Sequence, residues 1–153
     1  MRIEITHPAF RTQRLAVETA GWLSGPRLLL NGSPVKKQKG RFSVESDVGQ
    51  ETSVELKYNL LDPIPKVKVA DETLELAPSF QWYEYAWIGI PVFLVAIGGA
   101  IGGFVGALGA VANGRVFRGT YSTGAKYAIA GLVTLGAVVA YVVLATVFHL
   151  LRA

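Results

Sequence analysis

AWIGIPVFLVAIGGAIGGFVGALGAVA, residues 86–112, contains no charged residue and is rich in glycine along its second half. A bilayer core requires about 20 consecutive apolar residues for one helical crossing, and a water-soluble protein of this size has no use for a longer uncharged run. We therefore predict a first transmembrane helix over residues 86–112. Its length would be about 40 Å, so the helix would tilt within a hydrocarbon core of about 30 Å.

A second apolar run follows a short basic loop. Residues 125–151 are interrupted only by Lys126 near the start and His149 near the end. We predict a second transmembrane helix over residues 125–151, joined to the first by the loop 113–124, with Asn113-Gly114 as the stop of the first helix. The two helices would form a transmembrane hairpin, so the N-terminal part of the chain and the C-terminus would lie on the same side of the membrane.

The glycines of the first run have the spacing of a helix-packing surface. Small residues four positions apart let helices approach closely in lipid, where van der Waals contact drives association. Gly98, Gly102 and Gly106 are spaced by four, and this spacing resembles that of the glycine-zipper hairpins of bacterial envelope proteins, a resemblance that does not extend to the rest of the chain. On the second predicted helix, Ala128, Gly136 and Ala140 lie on one face. We predict packing, within the chain or between copies in a homo-oligomer, through Gly98, Gly99, Gly102, Gly103, Gly106, Gly109, Gly136 and Ala140.

Residues 1–78 have the pattern of a small soluble all-β domain. Apolar residues alternate with polar ones in GRFSVESDV, residues 40–48, and in TSVELKYNLL, residues 52–61. Such alternation indicates strands with one buried face, and Asn31-Gly32 favours a tight hairpin turn. We predict an antiparallel β-sandwich or open barrel, so the fold class is membrane α+β, a β domain followed by a two-helix transmembrane hairpin.

Residues 79–85 are predicted to form an aromatic connector at the membrane interface. Amphipathic rings prefer the headgroup zone, and Trp82, Tyr83, Tyr85 and Trp87 surround the start of the apolar run. A platform on which a ligand stacks is the alternative interpretation of these rings.

The charges are unevenly distributed along the chain. All 11 acidic residues precede residue 86, whereas the formal net charge of +4 resides in the apolar part. Basicity at membrane flanks gives no indication of nucleic-acid binding. We predict possible contacts with anionic lipid, at about 1 kcal/mol per cation, or else solvated turns, for Lys36, Lys37, Lys39, Arg41, Arg115, Arg118 and Lys126.

Two arguments conflict about the side of the membrane on which the β domain lies. The basic loop 113–124 should stay in the cytoplasm, which would place the β domain outside. Exporting more than 80 residues without a signal sequence is a demanding route, however, and MRIEITHPAF lacks the apolar core of such a signal. We therefore favour a cytoplasmic β domain, with the protein in the plasma or inner membrane.

Catalytic chemistry has little support in the sequence. Cysteine is absent, and the two histidines, His7 and His149, are far apart. No P-loop, H-E-x-x-H or nucleophile elbow occurs, so we expect no enzyme activity, cofactor or metal. The sequence favours a non-enzymatic integral membrane protein whose β domain mediates protein or lipid-surface interaction and self-assembly. A small channel or transporter component and an accessory subunit of a larger membrane complex are the alternatives.

Overall fold

The computed structural model describes residues 1–21, 24–38 and 40–152. The chain divides into two compact units. The β unit comprises Met1–Asn59 and Pro63–Ser79, and the helical unit comprises Leu60–Asp62 and Phe80–Ala153.

The β unit contains two antiparallel sheets. The first has the order β1-β2-β3-β4 and the second the order β5-β6-β7-β8-β9. The strands are β1 Arg2–Ile5, β2 Leu15–Glu18, β3 Arg27–Leu30, β4 Ser33–Pro34, β5 Lys37–Gln38, β6 Arg41–Glu45, β7 Glu51–Asn59, β8 Asp62–Val69 and β9 Glu72–Leu74. Antiparallel strands of this kind were expected from the alternating pattern, whereas the two-residue strands β4 and β5 carry too few residues for any periodicity.

One hydrophobic core is shared by residues of both sheets. Leu15, Val17 and Leu28 from the first sheet are fully buried together with Val54 and Val67 from the second. Packing into this core explains why apolar and polar residues alternate in the sequence of β6, because every second residue of that strand is buried.

The alternation extends beyond the strands in two places. Val48 and Leu60 continue the apolar pattern, but their side chains are exposed because each lies in a turn after the strand has ended.

The predicted hairpin at Asn31-Gly32 is confirmed. Leu30 pairs with Ser33, which leaves a two-residue loop between β3 and β4. Asn31 has φ 50° and Gly32 has φ 86°, the positive values that a type I′ turn requires.

The first apolar stretch becomes helical earlier and stays helical further along the chain than the predicted residues 86–112, whereas the second helix is close to the predicted residues 125–151. The elements of the helical unit are α1 Trp82–Gly89, a 3₁₀ helix Ile90–Phe93, α2 Leu94–Arg118 and α3 Thr123–Leu150. The backbone N–H of Gln81 donates to the Glu84 carboxylate (2.7 Å), one half of a capping box that starts α1 inside the predicted connector. Asn113 and Gly114 are buried within α2, so they do not end the helix, and the loop shortens to residues 119–122. Ser122 caps α3 by accepting from the N–H of Ala125.

The chain reverses its direction at Gly99. Its backbone has φ 51° and ψ −128° inside α2, a conformation that glycine adopts far more readily than other residues. Beyond Gly99, α2 returns antiparallel to the segment before it: Gly102 lies against Leu94, Ala110 packs in one cluster with Ile88, and the Phe117 ring is 6.5 Å from that of Phe80. Residues 82–118 therefore form a helical hairpin, which differs from the single helix predicted over residues 86–112.

Helix α3 packs antiparallel to α2. The Nδ2 of Asn113 donates to the Oγ1 of Thr134 (3.2 Å), and the rings of Phe117 and Tyr127 are 5.2 Å apart. Three helical segments thus lie side by side: the first arm of the hairpin (α1, the 3₁₀ helix and α2 before Gly99), the second arm (α2 after Gly99), and α3.

Candidate functional site

The largest candidate site is the outer apolar surface of the helical unit. Two helical stretches, Trp82–Arg118 and Thr123–Leu150, are long and apolar enough to cross a membrane. Only 28% of the most apolar part of the first and 11% of the second is buried. The exposed large side chains include Phe93, Ile97, Phe104, Leu132, Leu135 and Leu144.

Four of the predicted packing glycines lie inside the hairpin or against α3. A Cβ on Gly102 would collide with the carbonyl oxygen of Leu94, and one on Gly106 with that of Pro91. At Gly109 a Cβ would lie 2.9 Å from the Cβ of Pro91 and 3.2 Å from that of Ala137. Gly98 lies directly against the ring of Tyr141. These four glycines, called the glycine stripe below, therefore let the chain pack against its own preceding segment and against α3.

The other predicted packing residues have different surroundings. Gly99 forms the bend, and a Cβ on Gly103 would lie 3.1 Å from the Cγ2 of Val95. Gly136 has open space around it, and Ala140 and Ala128 are exposed. The face of α3 that packs against α2 carries Ala130, Thr134, Ala137 and Tyr141 instead.

Asn113 is a buried polar residue that the sequence analysis treated only as a helix stop. Its side chain is fully buried among apolar helices, and Nδ2 donates to Thr134 and to the carbonyl oxygen of Trp87 (3.5 Å). Thr134 in turn donates to the carbonyl oxygen of Ala130 (2.9 Å). One side chain thus connects all three helical segments. A polar residue between two apolar runs was the signal that could have identified it.

Arg118 makes a second polar contact that sequence reasoning missed. Its guanidinium forms a two-pronged ion pair with Asp62, with Nε 2.9 Å from Oδ1 and Nη2 bonded to Oδ2. Both side chains are nearly buried, at 14% and 13% exposure. The guanidinium also stacks on the Phe80 ring, 4.0 Å from its centroid. Arg118 therefore binds a carboxylate of the helical unit, where the sequence had predicted a contact with anionic lipid.

Two further cations of the helical unit lie near the same end. Arg115 is half-buried in the last turn of α2, and Lys126 is half-buried in the first turn of α3. Gly114 allows Leu61 to approach this end, since a Cβ there would collide with the Leu61 carbonyl oxygen.

The four predicted interfacial aromatics are all exposed. They are Trp82, Tyr83, Tyr85 and Trp87. The Trp87 ring also contacts that of Tyr127 on α3 at 5.6 Å, and Tyr85 contacts Phe80 edge-on at 5.5 Å. These contacts fix the rings at one end of the helical unit, the arrangement expected of an aromatic belt.

The predicted basic run of the β unit is only partly available to a ligand. Lys36 and Lys37 are exposed, whereas Arg41 pairs with Glu55 across the sheet. Lys39 lies outside the described residues.

A cleft of about 490 Å³ lies beside β1 in the β unit and includes His7, Phe10 and Arg14 among its lining residues. The Nε2 of His7 is 3.5 Å from Glu72, and its Nδ1 accepts from the N–H of Ala9. Among the described residues no group of three or more His, Cys, Asp or Glu is placed to hold a metal ion.

Asp47 holds the loop before β2. The backbone N–H of Thr12 donates to its Oδ2 (2.8 Å), and the N–H of Arg11 donates to the same oxygen. These bonds to the charged form, the one from Thr12 above all, lower the pKa of Asp47 from its ordinary value.

Comparison with protein-family models, with curated proteins and with solved structures gives no match for this chain. Its function is therefore inferred from its own residues.

Proposed function

We propose that this chain is a non-enzymatic integral membrane protein. The helical unit holds the protein in a bilayer, and the β unit, in the aqueous phase, contacts a protein partner or the lipid surface. The observation that carries the proposal is the exposure of large apolar side chains along the two long apolar helical stretches.

The distribution of burial separates this unit from a water-soluble helical bundle. A helix of a soluble domain buries one apolar stripe and presents polar residues on its other side. Here the outward side chains of α3, such as Leu132, Val139 and Val143, are as apolar as the inward ones. Contiguous exposed apolar surface of this extent indicates a membrane or a large partner, and the aromatic belt at one end favours the membrane.

Self-assembly, or insertion into a larger complex, is supported by the uncovered small residues of α3. Gly136 and Ala140 leave room on the helix surface, and small residues are what neighbouring helices need for close approach in lipid. We include a homo-oligomer in the proposed function, and an accessory subunit of a larger complex is the second candidate.

Membrane fractionation tests the anchoring role. We expect the full chain to remain in the membrane pellet after carbonate extraction and to be released only by detergent. A fragment of residues 1–78, expressed as a matched control without the helices, should appear in the soluble fraction. Release of the full chain by carbonate or by high salt would contradict an integral anchor.

A further inference from the structure

We propose that residues 82–118 fold back inside the membrane as a re-entrant hairpin, with both ends at one surface, and that α3 alone crosses the bilayer. The bend at Gly99 would lie inside the membrane, and both ends of the hairpin would return to the same surface. The chain before Phe80 and the C-terminal end would then lie on opposite sides. This inference rests on the proposed membrane location and replaces the two crossings that the apolar runs alone predict.

The aromatic contact between Trp87 and Tyr127 sets a common depth for the helices. Their rings are 5.6 Å apart, so the first arm of the hairpin and α3 pass this level together. Trp and Tyr side chains concentrate at the boundary between headgroups and hydrocarbon. The nearby Lys126 and the last-turn residues Arg115 and Arg118 of α2 place polar charge on the aqueous side of that level.

The distance from this level to the bend is too short for a crossing. Trp87 precedes Gly98 by eleven positions, which corresponds to about 17 Å of helix. The hydrocarbon core is about 30 Å thick, so the first arm turns back at Gly99 before it spans that thickness. The second arm returns Asn113 to the level of Trp87, as their hydrogen bond shows.

Helix α3, in contrast, has the length of a full crossing. Tyr127 precedes His149 by 22 positions, or about 33 Å of helix, which matches the hydrocarbon thickness. His149 and Arg152 lie at the far end, where polar groups reach the opposite headgroups. The ring of Tyr141 covers Gly98 at the bend, consistent with the rule that non-helical backbone at membrane depth is sheltered by neighbouring protein.

The hairpin also removes the conflict between the two sidedness arguments. In this topology the loop 119–122 and the β unit are on the same side, because both ends of the hairpin lie at one surface and no long apolar run separates the strands from Trp82. Arg115, Arg118 and Lys126 then keep that side cytoplasmic, and the β unit needs no export. The end of α3 then lies on the outer side of the membrane.

Cysteine accessibility tests this topology in cells that express the full chain. The chain has no cysteine, so Ser33→Cys, Tyr121→Cys and Arg152→Cys each provide a single reporter on an exposed residue. We expect an impermeant maleimide to label Arg152→Cys in intact cells and the other two only after permeabilisation. Each variant must remain resistant to carbonate extraction, which controls for its insertion.

Each alternative gives a distinct pattern. Labelling of Tyr121→Cys alone in intact cells, or of Ser33→Cys and Arg152→Cys with Tyr121→Cys protected, is the pattern of two full crossings and would overturn the proposal while leaving the membrane anchor intact. Equal labelling of all three positions, together with release by carbonate, would overturn the membrane location itself. Labelling of Ser33→Cys and Tyr121→Cys with Arg152→Cys protected would contradict the cytoplasmic orientation.

Discussion

Arg118 illustrates at the scale of single residues how charge is accommodated beside apolar helices. Its guanidinium meets the Asp62 carboxylate in fork geometry and lies over Phe80. A buried pair of this kind contributes little net stability relative to apolar residues, but removing one partner strands the other charge. The sequence places these two residues 56 positions apart, so no local pattern could have paired them.

Breaking this pair should destabilise the helical unit. We expect Arg118→Gln or Asp62→Asn to lower the free energy of unfolding in detergent by about 3–5 kcal/mol, and the double variant to lose less than the sum of the two. Asp71→Asn is the matched control, because the exposed pair of Asp71 with Lys68 is worth about 0–1 kcal/mol. Additive losses in the double variant would contradict a direct interaction.

Asp47 makes the stability of the β unit depend on pH. Its folded pKa is lowered, chiefly by the N–H of Thr12, so the stabilisation is present above the unfolded pKa of about 3.9 and is lost as the pH falls through the folded pKa. We expect the melting temperature of Asp47→Asn to lie below that of the wild type at pH 6. The difference should shrink below about pH 4, as circular dichroism would measure. A difference that stays constant down to pH 2.5 would show that the charge of Asp47 is not responsible.

Secondary-structure elements differ in how far their sequence predicts them. The strands of the β unit and the Asn31-Gly32 turn follow from alternation and from backbone preference, both of which are local. The hairpin within residues 82–118 does not, because an uncharged run of this length equally suits one straight crossing. Glycines spaced by four indicate close packing, but they do not indicate whether the partner is another helix or the preceding segment of the same chain.

Two glycine substitutions distinguish packing inside the hairpin from packing outside it. We expect Gly102→Leu to lower the stability of the helical unit by about 1–3 kcal/mol or more, because the side chain would collide with the Leu94 backbone. Gly136→Leu should be neutral or stabilising by up to about 1 kcal/mol, since Gly136 faces open space and leucine favours the helix. Thermal unfolding in detergent compares them, and equal losses at both positions would contradict the fold.

The bend itself depends on the backbone of Gly99. Its positive φ makes a side chain costly whatever space surrounds it, so we expect Gly99→Val to cost about 1–3 kcal/mol. Leu108→Val, on an exposed position of α2, controls for a β-branched residue in a helix. A Gly99→Val loss no larger than that of the control would indicate that the helix does not reverse there.

At the scale of the whole molecule, the glycine spacing predicts assembly of several copies without saying which helix surface makes the contact. The glycine stripe of α2 is largely occupied within the chain, so any contact between copies has the exposed face of α3 available. We expect Gly136→Leu to reduce crosslinked oligomers in native membranes by about threefold or more. Val142→Leu, which enlarges another exposed residue of α3, should leave crosslinking unchanged. Unaltered crosslinking in Gly136→Leu would exclude this face.

The reversal at Gly99 is the central claim, and the distance between spin labels at Trp82→Cys and Tyr121→Cys tests it most directly. Both positions are exposed, and pulsed electron paramagnetic resonance of the doubly labelled chain in lipid measures their separation. The hairpin brings Phe80 and Phe117 together, so we predict a separation below about 25 Å, label arms included. A straight helix over residues 82–118 would be about 54 Å long, and a separation of about 40 Å or more would contradict the hairpin.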